Sequence, residues 1–178
     1  MAFAIRAARA AFMTTALAAT ALAVPQAVAA DASTGSPVQI SAPADGATRA
    51  VAAEDPQAVR AAATRCGSGY KLYVAERLPD ATRLGTLFTY TKDGSSGLTG
   101  VCAIFDNNTG AKQYMKLKLC PNRTNPTCDT EEGTFSQYAG PVYVTSPKGY
   151  LSCSKVTAIM KSGGATVINR VMTATPCD

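Results

Sequence analysis

Alternation of apolar and polar positions is sharpest at residues 113–119. Gln113, Met115, Leu117 and Leu119 fall on one side there, and Tyr114, Lys116 and Lys118 on the other. Successive strand side chains point to opposite faces, so this pattern predicts an antiparallel strand with one buried and one wet face. The same period, less cleanly kept, runs through 70–74, with Tyr70, Leu72 and Val74 sharing a face. Residues 84–91 are rich in threonine and aromatic side chains, 101–105 form an apolar run, and 134–138, 142–144, 150–160 and 166–173 complete the strand-like stretches. Turn residues at 92–97, 106–110 and 161–164 punctuate them. Residues 129–133 read as an acidic turn. Gly140-Pro141, inside a strand-like run, reads as a bend or bulge at a sheet edge, because proline cannot donate to a ladder. No convincing helical period interrupts these segments. The expectation is an all-β fold, a single antiparallel β-sandwich or barrel of about seven strands.

Upstream of Cys66 the texture changes. Arg6 and Arg9 precede an apolar run over 10–24, followed by Pro25 and the small residues Ala27-Val28-Ala29-Ala30. This predicts a secretory signal peptide over 1–30. The run is too short for a stable bilayer anchor and no second one follows, so no integral membrane segment is expected after signal removal. Residues 31–65 are mostly Ala, Ser, Thr, Pro, Gly, Asp and Gln, a composition that buries too little surface to offset its ordering entropy. They are predicted to be a disordered linker or pro-segment. Pro56 and the lack of apolar spacing argue against a docked helix over 47–64, and Arg65 is a candidate trimming site. The folded domain is then 66–178.

A domain of that size is marginal on its hydrophobic core alone. Cys66, Cys102, Cys120, Cys128, Cys153 and Cys177 all fall within it. Export delivers them to an oxidising compartment, and no close Cys-x-x-Cys pair is present, so three disulfides are expected and no metal or other cofactor. The preferred pairing is Cys120 with Cys128 across a short loop, Cys102 with Cys153 between strands, and Cys66 with Cys177 at the domain ends. The rival for the outer four is Cys66 with Cys102 and Cys153 with Cys177.

Charge and composition narrow the function classes. Within 66–178, twelve Lys and Arg against eight Asp and Glu leave +4. That suits mild affinity for anionic polymers but falls short of a nucleic-acid footprint. The whole chain contains no histidine and no tryptophan. Without histidine the usual neutral-pH general base, the Ser-His and Cys-His nucleophile pairs and imidazole zinc ligands are all missing. The expectation is a protein that is not an enzyme and has no catalytic residues.

Three stretches are candidates for interaction. Lys112, Lys116 and Lys118, with Tyr114 interleaved, make a basic stripe suited to anionic polymer, although charge on the wet face of a strand is expected in any case. The loop closed by Cys120 and Cys128 contains Asn122, Arg123 and Thr124. A disulfide-closed, proline-containing loop presents a preorganised backbone, as standard-mechanism protease inhibitors do. Its nine residues and Pro126 are similar to the reactive loop of Bowman-Birk inhibitors, but the register is shifted. Asn122 stands at that family's specificity position and Asn125 at its proline. Asp129, Glu131 and Glu132 could be imagined as a hydrolase pair, but they crowd one segment rather than face each other across a cleft. The sequons at Asn107 and Asn122 matter only in a glycosylating host.

Cys66-Gly67-Ser68-Gly69-Tyr70, Cys102, the segment Gly133-Thr134-Phe135-Ser136-Gln137-Tyr138-Ala139-Gly140-Pro141-Val142-Tyr143, Cys153 and Cys177 together resemble the spore-associated protein A family of streptomycetes. The resemblance covers 66–178, and Tyr-Ala-Gly-Pro-Val is its most specific part. It implies a small secreted protein of aerial hyphae and spore surfaces, without enzymatic activity, whose partners are cell-wall or spore-coat components. Members usually carry four cysteines, matching Cys66, Cys102, Cys153 and Cys177, so Cys120 and Cys128 look like an added pair. Lys155 and Val156 stand where members often have a tryptophan.

Overall fold

The computed structural model describes residues 37–148 and 151–177. The signal-peptide expectation for 1–30 lies outside the described residues. Two helices, α1 (Gly46–Glu54) and α2 (Pro56–Cys66), precede eight strands: β1 (Lys71–Leu78), β2 (Gly85–Gly94), β3 (Gly97–Asn107), β4 (Gln113–Cys120), β5 (Asp129–Phe135), β6 (Tyr138–Thr145), β7 (Lys155–Ser162) and β8 (Ala165–Thr173). The strands form two four-stranded antiparallel sheets, β1-β2-β3-β6 and β5-β4-β7-β8. The all-β expectation is therefore met, as a sandwich with no closed barrel.

The core between the sheets contains Leu87, Val101, Phe105, Met115, Leu117 and Met160, all fully buried. β4 keeps the predicted alternation, with Met115, Leu117 and Leu119 inward. In β1 the alternation breaks at a register shift between Leu72 and Val74. Leu72 and Ala75 consequently face the helices, while Leu78 faces the second sheet.

Residues 129–133 are not a turn: they belong to β5, whose spacing alternates half-buried with exposed positions. Gly140-Pro141 lies, as expected, on an edge strand, next to a register shift between Ala103 and Phe105. A Cβ at Gly140 would stand 2.8 Å from the Ala103 carbonyl oxygen, and its φ of 104° is one that glycine alone adopts easily.

The disorder expected over 31–65 does not hold for the described part of that segment. Residues Gln39 and Ser41 exchange backbone hydrogen bonds with Leu72, so the arm before α1 adds a short parallel bridge to the edge of β1. The Asp45 carboxylate caps α1 by accepting from the Thr48 amide at 2.7 Å. Asp55 caps α2 through the Ala58 amide. Pro56 occupies the first turn of α2, where its missing N–H costs nothing and its fixed φ favours the helix. Reading Pro56 as a helix breaker therefore mistook a start for an interruption.

Val59, Ala62 and Cys66 point from α2 onto Leu72, Phe88, Tyr90 and Ile104, making a second core on the outer face of the first sheet. The Tyr90 hydroxyl, fully buried, donates to the Val59 carbonyl at 2.7 Å. Arg65 lies within α2, and its carbonyl accepts from the Tyr143 hydroxyl, so this bond is not presented as an open trimming site. The described residues thus form three layers: helices, first sheet, second sheet.

The outer disulfides follow from this layering. Cys102 faces the helices, so its partner is Cys66 at the end of α2, and Cys153 pairs with Cys177. The preferred pairing of Cys66 with Cys177 and Cys102 with Cys153 is incorrect, because it assumed that Cys102 looked into the inter-sheet core. Cys120 pairs with Cys128, as expected. All six cysteines are bonded, the state of an oxidising compartment.

Candidate functional site

Two side-chain seams join the sheets where backbone pairing stops. On one side the Asp129 carboxylate accepts from the Tyr143 amide at 2.7 Å and the Glu131 carboxylate from the Gly140 amide. On the other, Arg170 of β8 pairs with Glu76 of β1 at 2.9 Å. Two of the three acidic residues of 129–132 therefore hold the fold together. Glu132 points the opposite way, so the structure does not bring the three into one cleft.

Glu132 instead sits in the middle of the predicted basic stripe. Its carboxylate accepts from Lys116 at 2.7 Å and from the Tyr114 hydroxyl. These two hydrogen bonds, Lys116 first, hold the Glu132 carboxyl below its usual range, and the same contact raises the Lys116 ammonium. Lys161 of β7 lies 4.7 Å from the centre of the Tyr114 ring. Lys112 lies just before β4, exposed in the connection from β3. Lys118 belongs to β4, opposite Thr157 of β7, and Lys155 stands opposite Cys120. Register thus adds Lys155 and Lys161 to the outer face of the second sheet, neither of which sequence spacing could place there. Among the described residues, no helix covers this face.

Tyr73, Tyr114 and Tyr143 do not share one surface with the stripe. Tyr143 packs edge-on to Tyr70, with ring centres 6.3 Å apart, on the helix side of the first sheet. Tyr73 belongs to β1 of the first sheet, and its phenol is raised first by burial and then by the charge of Asp45 at the start of α1. Tyr114 alone lies on the second sheet.

Asn122, Arg123 and Thr124 are exposed on the loop closed by the Cys120–Cys128 disulfide. The Arg123 amide donates to the Pro121 carbonyl at 3.0 Å, folding the chain tightly around Asn122, and Asn125 has a φ of 49°. This loop separates two hollows. One of about 590 Å³ lies against the end of β6 and is lined by Arg123, Lys148, Asp129 and Ser146. The other, about 310 Å³, opens onto the second sheet and is lined by Arg123, Lys118, Lys155 and Val171. Sequence reasoning missed Lys148 and Lys155, which only the register and the β6–β7 connection bring to the loop.

Among the described residues, no group of three or more His, Cys, Asp or Glu is placed to hold a metal ion. No described helix is long and apolar enough to cross a membrane. In architecture the chain is a disulfide-bonded antiparallel β-sandwich with a helical layer on one sheet. No family model, curated protein or solved structure matches it.

Proposed function

We propose that the protein is a secreted, non-enzymatic component of the spore or cell envelope, held there by the outer face of the second sheet. The observation that carries this reading is the bare, lysine-bearing surface of β4 and β7 on a rigid three-layer support. The resemblance to spore-associated protein A supports the location, and the three disulfides suit an exported chain. Anionic wall polymer or coat components are the partners whose charge complements that surface. Fractionating a native culture into medium, wall and spores, and detecting the mature chain by mass spectrometry, tests it. Retention by wall or spores until salt or detergent is added is the expected result; a chain found wholly in the medium overturns it.

Protease inhibition is the second reading, favoured by the disulfide-closed loop and the exposed Arg123. The tight turn at Asn122 weighs against it, because a reactive loop enters a protease in extended form. Trypsin inhibition that disappears in Arg123→Ala would promote this reading, and an inert wild type would remove it.

A further inference from the structure

The basic stripe is partly spent within the molecule. Lys116 is paired with Glu132, and Lys161 covers the Tyr114 ring. Elsewhere Lys118, Lys155, Arg123 and Lys148 form no salt bridge with any described residue. Asp129 lines the hollow beside Lys148 and keeps its negative charge while accepting from the Tyr143 amide, so that hollow holds two cations against one carboxylate. Lys112 and Lys161 also form no salt bridge with a described residue, but neither lines either hollow, so positive charge and concavity coincide at the loop end of the second sheet. Lys118 and Lys155 line one hollow, Lys148 the other, and Arg123 lines both across the ridge of the loop.

We infer that this ridge and its two hollows form the binding site for a linear phosphate-bearing polymer, whose successive anionic groups occupy the two hollows and cross at Arg123. The inference rests on the envelope reading and deepens it by naming the ligand class and the residues. A single small anion would fill one hollow, and only a chain with repeated charges engages all four cations. Three of the four are lysines, compact point charges that suit phosphate oxygens. The site also lacks a free aromatic platform. Tyr143 is the aromatic residue in the lining, and its ring packs edge-on to Tyr70 with its hydroxyl donated to the Arg65 carbonyl, so a polymer without bases fits better than single-stranded nucleic acid.

Titration of the oxidised, purified protein with short-chain inorganic polyphosphate, followed by amide NMR and calorimetry at low salt, is the test. Shifts concentrated at 121–124, Lys148 and Lys155 are expected, with binding that weakens as salt rises. R123Q/K148Q should lose affinity roughly tenfold or more, since each cation facing an anionic surface is worth about a factor of five. K116Q/K161Q should change it less than about twofold, because neither lysine lines either hollow. Equal losses in the two variants, or no binding, overturn the assignment. So does orthophosphate that matches the polymer, or polygalacturonate or oligothymidylate that binds more tightly than polyphosphate. Polyphosphate binding by a protein that stays in the culture medium would remove the envelope reading and leave this site standing. Wall retention without polyphosphate binding would do the reverse.

Discussion

The two sheets present outer faces of opposite character. On the first, Phe88, Tyr90 and Ile104 are fully buried beneath Val59 and Ala62 of α2. On the second, Tyr114, Lys116 and Lys161 lie in a layer that no described element covers. The same backbone ladder thus serves as an interior wall on one side of the molecule and as a display surface on the other. Stability is concentrated in the first arrangement and chemistry in the second, so substitutions on the two faces should have separable effects.

The largest effect is expected from unfastening the covered face. Replacing Cys66 and Cys102 together by alanine removes the link between α2 and β3 and should cost about 4 kcal/mol on the chain-entropy scale. A lower urea midpoint, with early loss of helical signal, is the readout. Stability unaltered by this pair would mean that the helical layer contributes little.

A smaller effect, of opposite sign, comes from the rim of the same face. Burial pushes the Asp106 carboxyl up to about 6 from 3.8, with Arg65 opposing and Asp55 adding to the shift. Below 3.8 the group is protonated whether the chain is folded or unfolded, and the fold carries no penalty from it. Between 3.8 and about 6 the unfolded chain gives up the proton while the folded one keeps it, so stability falls across that window and the penalty is complete above 6. Asp106→Asn should therefore stabilise by about 2 kcal/mol at pH 8 and by almost nothing near pH 4. Denaturant midpoints at the two pH values check the sign, and a pH-independent change would contradict it.

The smallest effect is expected on the bare face. Lys116→Gln with Lys118→Gln should move stability by less than about 0.5 kcal/mol, since exposed ion pairs contribute little. A drop of several kcal/mol would show that this surface is structural after all.

How much of this could be read from the chain follows from the same contrast. β4 was legible because one of its faces is wet, which leaves the period of two visible in Met115, Leu117 and Leu119 against Tyr114, Lys116 and Lys118. β2 and β3 are buried on both faces from Gly85 to Thr91 and from Gly100 to Phe105, so their alternation vanished. That loss was itself a signal, since a strand such as Val101-Cys102-Ala103-Ile104-Phe105 in an antiparallel sheet requires a second cover. The cover was hard to see because α2 contributes small side chains, Ala62 and Cys66, whose apolar spacing is faint beside that of leucine or phenylalanine. The disulfide pairing failed for the same reason, since without the helical layer Cys102 had only the inter-sheet core to face. At the loop, Arg123 was visible in sequence. Its grouping with Lys118, Lys155 and Lys148 depends on strand register and on the course of the β6–β7 connection, neither of which leaves a local mark.

The carboxylate seam bears on how such a molecule can be crowded. An open strand edge invites another chain to add itself, and proteins deposited densely on a surface are exposed to that hazard. Along β6 the amides of Gly140 and Tyr143 are already held by Glu131 and Asp129, and Pro141 has no amide hydrogen to offer. A neighbouring copy arriving at this stretch finds those donors taken, so this part of the β6 edge is closed to strand addition.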